Sequence, residues 1–370
     1  MNRIKQIKTR LTAVLCLCVM LLSGCQFMPA PEQSAETRIV TDCVGREVEI
    51  PAEPKWIAAL DAFSGEVLVI SGAGDKLACA PNGVRMDLIL QEIYPGLLNT
   101  SAPMSGGTVN AESLLSLAPD LALIQGRTLY GNQDEVDKLD KLGIPYLVIQ
   151  YTTMEEQIFA MELLGDVLGG EPEARLDQLV DYYRDVIRRA EDIAKEIPDE
   201  ERMRVYHSIN EIIRTDGVDS LGRDWIECTG AINVSAQDGF FSTDKGDYTA
   251  SMEQIYTWDP DIIICNEVET RDYVMKKEKW AGLWAVQQNQ VYNIPVGATR
   301  WGQRGSLETY FAILWLGTIL YPNTYYKDID LKQEVFSVYE DILNFPLDDA
   351  LYEKMLSGRG LRHASNNAGK

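Results

Sequence analysis

The chain has 370 residues, a formal net charge of −22 and a composition that is 46% hydrophobic. This length exceeds what one typical hydrophobic core supports, and it favours two domains. The strong negative charge excludes nucleic acid and anionic membrane headgroups as partners, because both would repel an acidic surface.

The first 24 residues have the pattern of a secretory signal. Four basic residues within the first ten precede a short apolar run, residues 11–22, which ends in Leu22-Ser23-Gly24-Cys25. This ending resembles the processing box of bacterial lipoproteins, which implies that residues 1–24 are removed and that Cys25 becomes a lipidated N-terminus. We therefore expect an extracytoplasmic protein, held on the bacterial cytoplasmic membrane by its lipid alone, with residues 25–37 as a flexible tether. The alternative is a secreted protein with a coincidental cysteine.

Residues 38–150 are predicted to form a first α/β lobe, because short apolar runs alternate with helix signals. The runs that predict strands in this lobe are residues 56–60, 77–80, 121–124 and 146–149. A second lobe, residues 201–322, has the same style, and residues 323–370 are predicted to be a helical tail. Strands separated by helices favour parallel sheets, whose ligand sites lie at the carboxyl ends of the strands.

One pattern occurs once in each lobe. Glu112 precedes a short helix signal, Pro119-Asp120 and a buried strand signal, and Glu253 precedes the same series with Pro260-Asp261. A helix that ends near Pro-Asp and leads into a strand is one αβ step, so the repeat indicates two similarly built lobes.

Residues 151–200 contain a long helical pattern between the lobes. Apolar residues from Leu176 to Ile197 recur at alternating steps of four and three, which predicts one continuous helix over residues 171–196. The alternative is the seam of a coiled-coil dimer. The sequence thus predicts an α/β fold of two Rossmann-like lobes with parallel sheets, joined by one long spanning helix.

The chain resembles the extracytoplasmic substrate-binding proteins of ATP-driven (ABC) importers for ferric siderophores, haem and cobalamin. The resemblance covers residues 39–360 and rests on an ordered set of segments. These are residues 42–51, the two Glu-to-Pro-Asp repeats, the spanning helix, residues 284–295, and a helix with Trp315-Leu316 before Leu320-Tyr321-Pro322. It implies a monomer whose two lobes clasp a ligand between them, with a helical hinge that permits little opening.

The resemblance also implies the partners. The ligand would be a metal chelate, foremost a ferric siderophore, with cobalamin, haem or an oxyanion such as molybdate as alternatives. The protein would deliver it to a permease dimer with a cytoplasmic ATPase, docking through Glu112 and Glu253. The alternative role of each glutamate is to stabilise the N-terminus of its own helix.

The ligand-binding candidates are side chains in the loops that follow predicted strands. They are Arg85, Arg127, Tyr130, His207, Arg300, Trp301 and Arg304. Several arginines in a strongly acidic protein suit an anionic ligand, and Trp301 or Tyr130 would stack on its flat portions. For each arginine the alternative is a solvated or carboxylate-paired surface position.

Other chemistries are disfavoured. Two histidines give too few ligands for a bare transition metal, and the cysteines that remain after Cys25 lack the CxxC spacing of a zinc or redox site. No nucleophile elbow, Walker motif or dinucleotide fingerprint is present, so we predict neither an enzyme nor an intrinsic cofactor. The remaining alternatives are a lipid-anchored enzyme, such as a hydrolase with paired carboxylates, and a lipid-anchored sensor of the same fold.

Overall fold

The computed structural model describes residues 36–105, 108–131, 133–237, 248–359 and 361. The signal segment, Cys25 and all of the tether but its last two residues lie outside the described residues. From Thr37 onward the chain forms one compact unit. Within the described residues, no helix combines the length and the apolar character that a membrane span requires.

The structure contains short strands and a larger number of helices. The strands are β1 (Thr37–Thr41), β2 (Glu47–Pro51), β3 (Ile57–Ala59), β4 (Leu77–Cys79), β5 (Met104–Ser105), β6 (Thr108–Val109), β7 (Leu121–Gln125), β8 (Tyr146–Ile149), β9 (Arg204–Ser208), β10 (Arg214–Thr215), β11 (Ile232–Asn233), β12 (Tyr248–Thr249), β13 (Ile262–Cys265) and β14 (Val291–Asn293). The helices are α1 (Ala62–Ile70), α2 (Asn82–Arg85), α3 (Leu88–Ile93), α4 (Ala111–Leu117), α5 (Gly126–Gly131), α6 (Gln133–Leu142), α7 (Met154–Leu168), α8 (Gly170–Glu196), α9 (Leu221–Cys228), α10 (Val234–Gln237), α11 (Met252–Trp258), α12 (Val268–Lys276), α13 (Trp284–Gln287), α14 (Thr309–Leu320), α15 (Leu331–Ser337) and α16 (Asp349–Ser357). Short 3₁₀ turns occur at Gly74–Lys76, Leu97–Asn99, Asp199–Glu201 and Glu278–Trp280, and a π-helical turn follows α15 at Val338–Ile342.

Two four-stranded sheets organise the fold. The first has the order β4-β3-β7-β8 and the second the order β11-β9-β13-β14, and every strand pair in both is parallel. All residues of the central strands β3 and β13 are buried, as expected when helices cover both faces of a parallel sheet. The predicted α/β fold with two parallel sheets is confirmed.

The repeated Glu-to-Pro-Asp pattern builds the same step in each half. Helices α4 and α11 both end at a residue in the left-handed conformation, Ala118 (φ 46°) and Asp259 (φ 37°), directly before the proline. The aspartate that follows then ties down the neighbouring strand. Asp120 accepts hydrogen bonds from the backbone N–H groups of Lys55 and Trp56, and Asp261 accepts one from that of Arg204.

Helix α8 has 27 residues and is about 40 Å long at ~1.5 Å per residue. Its apolar face is buried within the chain, so this face is not the seam of a coiled-coil dimer. The buried residues of α8 are Leu176, Leu179, Val180, Tyr183, Val186 and Ala190. Tyr182 and Tyr183 both pack edge-on against Tyr310 of α14, with ring centroids 5.4 and 5.5 Å apart.

The four cysteines of the described residues are free thiols. Burial raises the pKa of Cys79, Cys228 and Cys265 to about 12 and that of Cys43 to about 11. They pack as small apolar side chains and are poor nucleophiles at neutral pH.

Candidate functional site

A cavity of about 130 Å³ lies where the carboxyl ends of strands from both sheets meet. Gln125, the last residue of β7, lines it from the first sheet. His207 of β9 and Asn266, directly after β13, line it from the second. This is the place where parallel α/β sheets hold ligands, since loops and helix N-termini converge there.

His207 lines the cavity from the second lobe, and its side chain is buried, with 2% of its surface exposed. Its Nδ1 lies 2.8 Å from Asp216 Oδ2, and its Nε2 lies 2.8 Å from Asn266 Oδ1. Burial lowers the pKa of His207, but the Asp216 carboxylate and the hydrogen bonds from both ring nitrogens outweigh it, so the pKa lies above its ordinary value.

Asp216 is itself buried, and groups other than His207 also stabilise its carboxylate. Its Oδ2 also accepts a hydrogen bond from Asn233 Nδ2 at 3.0 Å. The N-terminus of α9 lies beside it, because a Cβ placed on Gly222 would overlap Asp216 Oδ1. A glycine at this position therefore lets the carboxylate approach the positive end of the helix.

The remaining walls offer hydrogen-bond donors. Arg214 of β10 and Arg304, in the loop after β14, line the cavity, and so do Ser220, Leu221 and Gly222 at the start of α9. Burial lowers the pKa of Arg304, while Asp216 opposes this shift. Among the described residues, Asn266 Nδ2 is buried without a hydrogen-bond partner. Two guanidinium groups and an amide donor suit a small anion.

Glu308 holds the loop that carries Arg304 in place through hydrogen bonds on the side away from the cavity. This fully buried carboxylate accepts hydrogen bonds from the Thr299 backbone N–H at 2.7 Å and from the Tyr339 hydroxyl at 2.5 Å. Burial raises the pKa of Glu308 to about 7, against these hydrogen bonds. Gln157 adds a second brace, because its Nε2 donates to the Ser306 carbonyl and its Oε1 accepts from Tyr183 of α8. The loop is thus tied to the spanning helix.

The structure brings two of the predicted ligand-binding residues, His207 and Arg304, to this cavity. It places Arg300 and Trp301 elsewhere: Arg300 pairs with Glu267 at 2.5 Å, and Trp301 is fully buried with its ring 5.1 Å from that of Phe311. Trp301 therefore packs in the core and is not positioned to stack on a ligand.

Arg85 and Tyr130 also lie outside the cavity lining. Arg85 donates to Asn82 Oδ1 and to the Leu98 carbonyl, both at 2.9 Å. The side chain of Tyr130 is exposed on α5. Arg127 lies on the same helix, and its side chain is outside the described part of the structure.

Sequence reasoning missed Arg214, Asp216 and Asn266. A signal for Asn266 was present, because it follows the buried run 262–265 directly, as Gln125 follows 121–124. No comparable local signal marks Arg214 or Asp216. Arg214 lies on β10, which pairs with the distant strand β12.

Comparison with known proteins gives one family. A model of the family described as periplasmic binding protein matches residues 57–296. An ABC transporter substrate-binding lipoprotein of Bacillus subtilis, YvrC, is 25% identical over 304 residues, which cover 79% of this chain and 91% of the relative. The molybdate-binding protein MolA of Haemophilus influenzae is 24% identical over 344 residues, which cover 86% of this chain and 95% of the relative.

Solved structures share the fold. A periplasmic solute binding protein from Veillonella parvula, known from its crystal structure, has 25% sequence identity to this chain and a TM-score of 0.72. The match covers 87% of this chain and 97% of the Veillonella chain. The structure of Haemophilus influenzae MolA bound to molybdate superimposes with a TM-score of 0.73 and 23% sequence identity. The match covers 84% of this chain and 99% of the MolA chain.

Gly302 allows the cavity loop to pack closely against Trp225, and replacing it with alanine tests the importance of this contact. It has φ +66°, and a Cβ there would lie 2.7 Å from Trp225 Cε2. Gly305→Ala is the matched control, since Gly305 has φ +86° but its Cβ would meet nothing closer than 3.9 Å. Both variants carry a left-handed cost of about 1–2 kcal/mol. We expect Gly302→Ala to lose a further ~1–3 kcal/mol of unfolding free energy through overpacking, measured by urea denaturation. Equal destabilisation of the two variants would show that the Trp225 contact is unimportant.

Proposed function

Because the chain belongs to the periplasmic binding protein family, we propose that it is the extracytoplasmic solute-binding subunit of an ABC importer whose cargo is a small oxyanion. The family consists of binding proteins and not enzymes, in agreement with the sequence prediction. The observation that carries the choice of cargo is the cavity itself, where Arg214, Arg304 and the amide of Asn266 converge.

The size of the cavity supports a small cargo. Pockets for drug-sized ligands have volumes of about 300–1,000 Å³. The cavity of about 130 Å³ is well below that range. It suits a tetrahedral oxyanion better than the ferric siderophore, haem or cobalamin considered from the sequence. The ligand of the relative MolA, molybdate, is of this class.

The charges of the cavity support an anion. The Asp216 carboxylate, which lines the cavity, is hydrogen-bonded to His207 and Asn233. Arg214 and Arg304 place two guanidinium groups at the cavity of a protein whose net charge is −22. Guanidinium groups bind oxyanions through paired N–H donors, and the exclusion of water strengthens these bonds.

Glu112 and Glu253 are the proposed contacts to the permease dimer, which works with a cytoplasmic ATPase. Both are exposed, and each lies in the first turn of its helix, α4 and α11. Two charges, one on each half of the protein, would fix orientation as well as affinity. The same position also stabilises each helix, so the two roles coexist.

Lipidation at Cys25 is the proposed membrane attachment. The residues that lead to Cys25 resemble a lipoprotein processing box, and the Bacillus relative is described as a lipoprotein. The lipid would hold the protein near its permease.

Arg304→Ala tests the cargo site. Loss of a charge-assisted hydrogen bond of ~1.5–3 kcal/mol should weaken molybdate binding about tenfold to a hundredfold in a calorimetric or tryptophan-fluorescence titration. Arg85→Ala is the matched control, because Arg85 is a partly exposed arginine outside the cavity. Molybdate, sulfate, a ferric siderophore, haem and cobalamin should be titrated in parallel. Tight binding of one of the large ligands with no binding of any oxyanion would overturn the proposed cargo.

Glu112→Lys combined with Glu253→Lys tests docking. We expect uptake to be lost while cargo affinity stays within about twofold, because charge reversal replaces attraction by repulsion at the permease. Glu171→Lys combined with Glu269→Lys is the matched control, since these exposed glutamates also lie in first helical turns. Normal uptake by the first pair, or equal loss in both, would contradict docking at these residues.

Cys25→Ser tests attachment. The thiol is the group that accepts the lipid, so the variant should remain an unprocessed precursor or leave the membrane fraction. Fractionation after a high-salt wash, together with labelling by a radioactive fatty acid, measures both outcomes. Membrane retention and labelling equal to those of the unchanged protein would exclude Cys25 as the lipidated residue.

A further inference from the structure

His207 lies between two oxygen acceptors. Nδ1 faces a carboxylate oxygen of Asp216, and Nε2 faces the amide oxygen of Asn266, both at 2.8 Å. An imidazole ring fills both positions with donors only when both nitrogens carry a proton. With Asn266 Oδ1 turned to the ring, both contacts are hydrogen bonds only in the imidazolium form.

Asn266 connects the protonation state of His207 to the cavity, because it contacts the ring and also lines the cavity. Its side chain is buried, and with Oδ1 turned to His207 its Nδ2 has no partner among the described residues. A buried amide N–H₂ without a partner is costly unless a ligand accepts its hydrogen bond. An anion in the cavity would supply that acceptor.

We propose that the proton on His207 Nε2 sets the orientation of the Asn266 amide, and so decides whether the cavity offers a donor or an acceptor to its cargo. With the proton present, Oδ1 accepts from His207 and Nδ2 is left for an anion. Without it, Nε2 becomes an acceptor and the amide turns by about 180°, because its terminal torsion is roughly two-fold. Nδ2 then donates to His207, and Oδ1 would repel the anion. This inference rests on the proposed anionic cargo.

The charges around His207 determine the pH at which its ring loses the proton. Asp216 favours the imidazolium, whereas Arg214 and Arg304, which line the same cavity, oppose it. The edge of Trp225 covers the ring, with centroids 5.7 Å apart, and Asn233 shares the Asp216 carboxylate. Asp219 and Tyr151 act on Arg304. The net effect raises the pKa of His207, so the ring loses its proton at a higher pH than an ordinary histidine does.

The predicted consequence is cargo affinity that falls as pH rises. If only the imidazolium form binds, the Kd for molybdate should rise about tenfold for each pH unit above the folded pKa. Calorimetric titration of the purified protein from about pH 6 to about pH 9 measures this slope. Buffers of different ionisation enthalpy would also reveal proton uptake on binding. An affinity that is constant over this range would overturn the proposal.

Two variants separate the amide switch from simple charge attraction. In His207→Gln, the side-chain N–H₂ reaches the Nε2 position and donates to Asn266 Oδ1 at every pH, while the contact of Nδ1 with Asp216 is lost. We expect weaker molybdate binding whose residual affinity no longer depends on pH. In Asn266→Leu the amide is absent, so binding should be weaker and its dependence on pH should be largely lost. If Asn266→Leu keeps the full slope, the imidazolium acts through space and the amide switch is wrong.

A ligand-free measurement keeps the proposal testable if either variant fails to fold, or if molybdate does not bind. The chain has two histidines, so His363→Gln leaves His207 as the only one. In ¹⁵N NMR spectra of this variant we expect the His207 ring and the Asn266 side-chain amide to shift with one common midpoint. A ring that is neutral throughout, or an Asn266 signal that ignores its titration, would overturn the switch. Absence of molybdate binding at any pH would count against the proposed cargo alone.

Discussion

The buried carboxylate of Asp216 is the constraint on which the cavity depends. Taking an ionised carboxylate out of water is very unfavourable unless hydrogen bonds and opposite charges replace its hydration. Here His207 and Asn233 satisfy Oδ2, and the N-terminus of α9 approaches Oδ1. These groups arrive from separate segments of the second lobe, so neutralising one carboxylate fixes several walls of the cavity at once. Arg214 and Arg304 line the cavity beside this centre, where we propose that an anion binds.

Rigidity behind the cavity is the second requirement. Arg304 lies in a loop, and a loop side chain binds with precision only if the backbone beneath it is held. Glu308 and Tyr339 hold the loop from the C-terminal region, and Gln157 ties it to Tyr183 of the spanning helix. The same helix also packs against α14, so the ligand loop and the hinge belong to one core. Closure around a ligand would therefore involve small displacements.

The sequence predicted those parts of the fold that depend on local pattern. Buried parallel strands appear as apolar runs, and α8 appears as an apolar stripe, because each period is set by backbone geometry. The ligand loop was harder to predict. Arg300, Trp301 and Arg304 are close in sequence, but the left-handed turn at Gly302 separates their directions, so Trp301 enters the core while Arg304 lines the cavity. Arg214 and Asp216 depend on long-range contacts that no short pattern records.

The proposed anionic cargo requires the attraction exerted by this acidic protein to be local. At physiological ionic strength the Debye length is about 8 Å, so the surface charges act weakly on an anion that has already entered the cavity. Inside, Arg304 is largely buried and acts through a lower effective dielectric than a surface charge does. The net charge of −22 therefore opposes the approach of the anion more than it weakens the bound state. The acidic surface would slow capture, and the cavity charges would determine the equilibrium affinity.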